Sequence, residues 1–379
     1  MMSRTTFKAT FKATLFAVIC ALMVSGSHSA SRAADYTLHT LAEGLAFPWS
    51  LAFLPDGDVL VTEREGRLRV IRDGALLPDP VTGVPETYAV GQGGLMDIRL
   101  HPDFADNRLV YLSYAHQEGD SLANQLRVAR AEYADGALSN LEVIFGSAPM
   151  KETPVHFGAR LAFMADGKLL ITTGDDFIHR ERAQLLDNNF GKTIRLNDDG
   201  SIPDDNPFIG IEDARPEVWS YGHRNPQGLL VDAESGRVYL HEHGPMGGDE
   251  LNIIEPGKNY GWPVATYGLD YSGARISPFE ERPGMEIPIE YWVPSIAPSG
   301  MTLYTGDAFP AWQGDIFVAA LANMTVRRLD MDNGAVRDQE TLFAEVEERF
   351  REVRTGPDGY LYLLTDSQDG RVIQVRPGG

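Results

Sequence analysis

Ser50-Leu-Ala-Phe-Leu-Pro-Asp-Gly-Asp-Val-Leu-Val61 sets two short apolar runs on either side of a Pro-Asp-Gly turn. Apolar and polar positions alternate along the runs, the period of a strand with two distinct faces, so the stretch predicts an antiparallel hairpin. The same unit returns in Arg160-Leu-Ala-Phe-Met-Ala-Asp-Gly-Lys-Leu-Leu-Ile171 and in Glu352-Val-Arg-Thr-Gly-Pro-Asp-Gly-Tyr-Leu-Tyr-Leu363. Looser copies pair Met96–Asp103 with Leu109–Leu112, Gly228–Asp232 with Arg237–Leu240, and Gly300–Tyr304 with Asp315–Val318. Six copies predict six small sheets. Each has two faces to bury, and radial stacking buries both while protecting the strand edges. The predicted fold is all-β, a six-bladed β-propeller. At roughly 57 residues per blade the units exceed the ~40–45 of a compact propeller repeat, which leaves long loops over one end of the channel.

Outward from the repeats, Tyr36-Thr-Leu-His-Thr-Leu41 is the predicted outer strand of the last blade, closing the ring. Phe343–Glu348 is the one short helical turn expected. Residues 1–34 carry Arg4, Lys8, Lys12 and Arg32 with no acid, around an apolar run from Thr14 to Val24. That run is well short of the ~20 residues a bilayer needs, so it predicts a secretory signal peptide cut near Ala34, a periplasmic or secreted product and no membrane span. The only cysteine, Cys20, lies inside that run, which leaves residues 35–379 without a thiol or a disulfide. Without the four basic residues the formal charge falls from −21 to about −25, and so acidic a surface makes nucleic acid a poor partner.

The chemistry-bearing residues fall in the loops. His156 follows Lys151-Glu-Thr-Pro-Val155, at the expected start of a strand, and Asp175 ends the next strand in Thr172-Thr-Gly-Asp175. Neighbouring strands of one hairpin bring such ends together, either as a structural His–Asp hydrogen bond or as a carboxylate that orients a general base. Gln92 stands in the turn Gly91-Gln-Gly-Gly94. Arg224 and Asn225, in Tyr221-Gly-His-Arg-Asn-Pro-Gln-Gly228, suit either an anionic ligand or a loop cap. In Glu347-Glu-Arg-Phe-Arg351, alternation puts Arg349 and Arg351 on one face. His243-Gly-Pro-Met-Gly-Gly-Asp-Glu250 and Asn259-Tyr-Gly-Trp-Pro263 offer peptide carbonyls and acids that read either as hard-cation ligands or as a solvated turn.

Taken together with Gly91–Met96 and His156–Leu161, these motifs resemble the soluble aldose dehydrogenases that depend on pyrroloquinoline quinone (PQQ), over nearly the whole chain after residue 34. The length resembles the compact aldose-dehydrogenase branch of that family. The resemblance implies oxidation of aldose sugars at the anomeric carbon to lactones, with electrons passed to a quinone, a dye or another small acceptor, by a monomer or homodimer. His156 falls on the family's general base, Asp175 on its supporting aspartate, and Gln92 and Gln184 on substrate-pocket residues. Arg224, Asn225, Arg349, Arg351 and Ser295 fall on cofactor contacts, and Arg224 on a catalytic position as well. The carbonyls of Gly244 and Pro245 match the calcium that holds PQQ, and Glu250, the Tyr260 carbonyl and Asp270 match a second, structural calcium site. One departure is plain: Leu321-Ala-Asn-Met324 has Ala322 or Asn323 where relatives carry a lysine on the cofactor. Two rival readings stand beside this one, a calcium-dependent propeller lactonase and a propeller that only binds.

Overall fold

The computed structural model describes residues 35–378. The signal-peptide expectation therefore lies outside the described residues. No helix among the described residues is long and apolar enough to cross a membrane.

Strands form six four-stranded antiparallel sheets, as the six hairpin units predict. The first strand of each is innermost: Pro48–Phe53, Leu95–Leu100, Leu161–Phe163, Pro226–Val231, Pro298–Leu303 and Phe350–Thr355. These six touch one another in a closed ring, each packing on the next and the last on the first. Tyr36–Leu45 pairs antiparallel with Gly370–Pro377, from Tyr36 opposite Pro377 to Leu45 opposite Gly370, and so becomes the outer strand of the last blade. Closure by the chain's own beginning removes the exposed edge that an open stack of sheets would carry.

Three of the inner hairpins share one turn. Gly57, Gly167 and Gly359 take φ of 96°, 78° and 79°, a left-handed backbone that glycine adopts without strain. The hydrophobic core is not central but lies between blades. Leu60, Leu68, Leu95, Ile98 and Val110 fill the space between the first two sheets, for example, and Leu230, Tyr239, Met301 and Val318 that between the fourth and fifth. The axis is polar instead. Asp97 and Glu352 from inner strands are neutralised there by Arg99, Arg160 and Arg354, with contacts of 2.7 Å for Arg99–Asp97 and 3.1 Å for Arg354–Glu352. The one short turn expected at 343–348 is present as the 3-10 helix Ala344–Val346.

Candidate active site

Connections into the inner strands, and those between second and third strands, gather at one end of the ring. They enclose a cavity of about 270 Å³ whose polar lining includes Arg64, Gln92, Asn225, Gln227, His243, Arg349, Arg351 and Asp366, with Trp49, Met96, Phe157 and Leu321 as apolar wall. A larger hollow, about 1030 Å³, opens at the opposite end between the fourth and fifth blades. Its charges are mixed, Asp232 and Glu234 against Arg237 and Arg354, and its lining has no histidine.

His156 Nδ1 lies 2.6 Å from Asp175 Oδ1, and both side chains are buried. An ionised carboxylate can only accept, so the proton sits on Nδ1 and Nε2 is left as a base. Burial lowers the imidazole below the ordinary histidine value, although the hydrogen bond and charge of Asp175 pull the other way. Burial would raise the Asp175 carboxyl, but the hydrogen bond with His156, then the Arg224 charge and the Phe177 N–H, outweigh it and hold it low. The ring is therefore neutral, and the carboxylate ionised, in neutral solution.

Several residues aim this pair. Trp262 Nε1 donates to Asp175 Oδ2 at 2.7 Å. The His156 N–H donates to Gln92 Oε1 at 2.8 Å, and the Lys151 ammonium donates to the His156 carbonyl at 3.1 Å. His156 does not begin a strand as its position suggested: its φ is 53°, and it stands in the connection before Leu161–Phe163. Gly174 lets the two loop ends meet, because a Cβ there would come within 2.2 Å of the His156 carbonyl.

Arg224 is buried across from the pair. Its Nη1 donates to the carbonyls of His243 at 3.0 Å and Gly244 at 2.7 Å, and its guanidinium carbon stands 5.4 Å from the Trp262 ring centroid. Asn225 lines the cavity and accepts from the Gly158 N–H at 3.2 Å. Arg349 and Arg351 share a face, as alternation predicts, and both reach Asp366, at 3.1 Å each. Glu347 and Glu348 do not hold them; Glu348 pairs with Arg371.

Other expected site residues stand apart from the cavity. Gln184 makes a reciprocal amide pair with Asn259, at 2.8 and 3.0 Å, and donates to the Trp262 carbonyl at 2.7 Å. It therefore braces the tryptophan that braces Asp175. Ser295 donates to Asp249 at 2.7 Å, a carboxylate that also accepts from the Gly244, Ile296 and Ala297 N–H groups. Asp249 and Glu250 are buried on the strand Asp249–Ile254 and are not a solvated turn. Glu250 faces Glu242 across that pairing, and burial first, then the Glu242 charge, pushes its carboxyl well above the usual range. Glu250, Tyr260 and Asp270 have no hydrogen-bond partner in common. Asp270 caps an exposed turn at Ser272 and faces Arg180, whereas the Tyr260 hydroxyl donates to the Ile253 carbonyl. Among the described residues no three His, Cys, Asp or Glu side chains gather as a metal-binding group.

Five positions had no sequence assignment: Arg64, Gln227, His243 and Asp366 in the cavity, and Trp262 behind it. Trp262, His243 and Gln227 lie inside quoted motifs; Arg64 and Asp366 come from the first and last blades and line one cavity only when the ring closes.

The model of the glucose / sorbosone dehydrogenase family matches residues 45–374, and the chain belongs to that family. It is 44% identical over 349 residues to the aldose sugar dehydrogenase YliI of Escherichia coli, covering 91% of this chain and 94% of that one. The apo-form structure of the soluble aldose sugar dehydrogenase from Escherichia coli superposes with a TM-score of 0.88 at 43% identity, over 90% of this chain and all of the other. The PQQ-bound aldose sugar dehydrogenase of Streptomyces coelicolor superposes at 0.74 with 30% identity, over 90% of this chain and 98% of that chain.

Proposed function

We propose that this dehydrogenase oxidises aldose sugars at the anomeric carbon to lactones, using PQQ and passing the electrons to a quinone or another small acceptor. The observation that carries the reading is the union of a buried His156–Asp175 pair with a cavity whose lining holds three arginines, Arg64, Arg349 and Arg351, and one acid, Asp366. Three guanidiniums against one carboxylate make an anion site in a chain whose overall charge is −21. PQQ carries three carboxylates, so this donor set fits it, with the Asn225 and Gln227 amides as further polar partners. When bound, PQQ supplies the ortho-quinone that takes up the two electrons of the oxidation.

The chain's own residues do the rest. Neutral His156 takes the proton of the anomeric hydroxyl at Nε2, and Asp175 stabilises the imidazolium that results. The Trp262 indole and the Phe177 backbone N–H hold Asp175 from two further directions, so the carboxylate keeps its aim as charge develops. Arg224, whose charge acts on His156, stabilises the oxygen on which negative charge develops.

Calcium is part of the same proposal, held by the Gly244 and Pro245 carbonyls. The Gly244 oxygen already accepts from Arg224, but a carbonyl has a second lone pair, and peptide oxygens suit a hard cation. Export through the N-terminal leader belongs to the proposal too and is supported by the sequence of residues 1–34 alone. A lactonase would need several carboxylates around one channel ion, whereas the axial acids Asp97 and Glu352 are spent on arginines.

Reconstitution is the test. Apo-protein given PQQ and calcium should reduce a dye when an aldose is added, and NAD should not replace PQQ. Activity with NAD alone, or none with PQQ across a sugar panel, removes the proposal.

A further inference from the structure

We infer that Phe177, with Tyr271 beside it, is the wall on which the sugar ring packs, and so a specificity-determining residue for the oxidation proposed above, on which this inference rests. Both rings are exposed, Phe177 by 45% and Tyr271 by 62%. Their centroids are 6.4 Å apart with planes tilted by 33°, so they present one nearly continuous apolar surface. Phe177 meets the His156 ring edge to face at 5.2 Å. The Tyr271 hydroxyl accepts from Arg224 Nη2 at 3.4 Å, and its ring centroid lies 5.9 Å from the guanidinium carbon. The wall therefore stands directly beside the two groups that handle the reacting hydroxyl.

The backbone shows that this placement is imposed. Asp176 and Phe177 have φ of 67° and 66°, a left-handed conformation that is costly for any residue with a Cβ and more so for a bulky aromatic. It is held by the Phe177 N–H, which donates at 2.8 Å to Asp175 Oδ1, the same oxygen that meets His156. The buried Asp176 carboxylate is pinned in turn by the Thr153 hydroxyl and, at 2.7 Å, by His179 Nδ1. Burial does not offset the strain, because the Phe177 ring stands half in solvent. An aldose in its ring form has hydroxyls at its rim and a face of C–H groups. Aromatic faces pack on that C–H surface while a few convergent polar groups orient the rim. Phe177 and Tyr271 supply the first, and His156 and Arg224 the second.

The test uses the full chain reconstituted with PQQ and calcium, comparing the parent with Phe177→Gly and Phe177→Tyr on an aldohexose. Glycine adopts φ near 66° freely, so Phe177→Gly should keep or raise the melting temperature. Loss of the wall removes binding that ground and transition states share, so KM should rise about tenfold with kcat within about twofold of the parent. Phe177→Tyr should keep the parent KM. An unchanged KM in Phe177→Gly, or a fall in its melting temperature as large as a core deletion gives, overturns the wall. If the parent itself shows no sugar-dependent dye reduction, the proposed function fails and the wall fails with it; an active parent with an unchanged Phe177→Gly KM sinks the wall alone.

Discussion

Asp175 and Asp366 are both carboxylates at the mouth of the same ring, and they do opposite work. Asp175 is fully enclosed by neutral or singly protonated donors, the His156 ring, the Trp262 indole and the Phe177 N–H, and its charge is spent on orienting one imidazole. Asp366 is shared between two guanidiniums, which hold its carboxyl low against the effect of burial and leave a net positive charge over. The same side chain thus builds a base on one side of the site and an anion pocket on the other. What differs is the number of cations it must satisfy. Binding and proton transfer should therefore separate under mutation.

The largest expected effect is on the base. His156→Ala should lower turnover by about 10²–10⁴-fold, the usual contribution of general-base catalysis, with PQQ affinity nearly unchanged. Steady-state kinetics at saturating PQQ and a PQQ titration check the two halves. On the other side, Arg351→Ala should weaken PQQ binding by roughly 10–100-fold, the worth of one charge-assisted hydrogen bond, while turnover at saturating PQQ holds. Asp175→Asn should cost less than His156→Ala, about 10–100-fold in kcat, because the imidazole stays but loses its partner. Burial already lowers the imidazole, so the acid limb of kcat/KM should lie below the ordinary histidine range. Asp175 raises that pKa, hence Asp175→Asn should move the limb to still lower pH.

Glu250 gives the smallest effect and the clearest sign. Its folded-state pKa is raised by burial and by the Glu242 charge. A raised carboxyl contributes stability that is fully present below its unfolded value and is lost as pH rises through the folded one. Glu250→Gln imitates the neutral acid. Its melting temperature should match the parent at acid pH and exceed it increasingly as pH rises above the ordinary glutamate range. Equal curves at all pH would show that the Glu250 carboxyl is not shifted by folding, and a parent more stable than the variant at neutral pH would show that a cation holds it.

The six hairpins were legible because each repeats a local pattern of alternation and turn, and so was the closing strand at Tyr36–Leu41. Arg349 and Arg351 were legible as a pair for the same local reason. Their partner was not: Asp366 belongs to a different loop, and nothing in its neighbours marks it. Trp262 is quoted in a motif, yet its indole partner is Asp175, a full blade away in the chain. Asp176 and Phe177 take left-handed backbone without a glycine to signal it. Asp249 and Glu250 read either as cation ligands or as a solvated turn, because acids next to glycines suit both; pairing of their strand with Val238–Glu242 and Glu290–Trp292 buries them. Repetition encodes the blades, whereas the site is made of loop residues that meet across a hairpin, as Arg349 and Asp366 do, or across neighbouring blades, as Trp262 and Asp175 do.

The most direct test sets the two sides against each other in one experiment, PQQ uptake and sugar-dependent dye reduction measured together on parent, His156→Ala and Arg351→Ala proteins. The account predicts that His156→Ala takes up PQQ with near-parent affinity and does not turn over, and that Arg351→Ala turns over normally once PQQ is raised to saturation. If His156→Ala lost PQQ binding together with activity, or Arg351→Ala stayed inactive with PQQ bound, the separation of base and anion pocket would be contradicted.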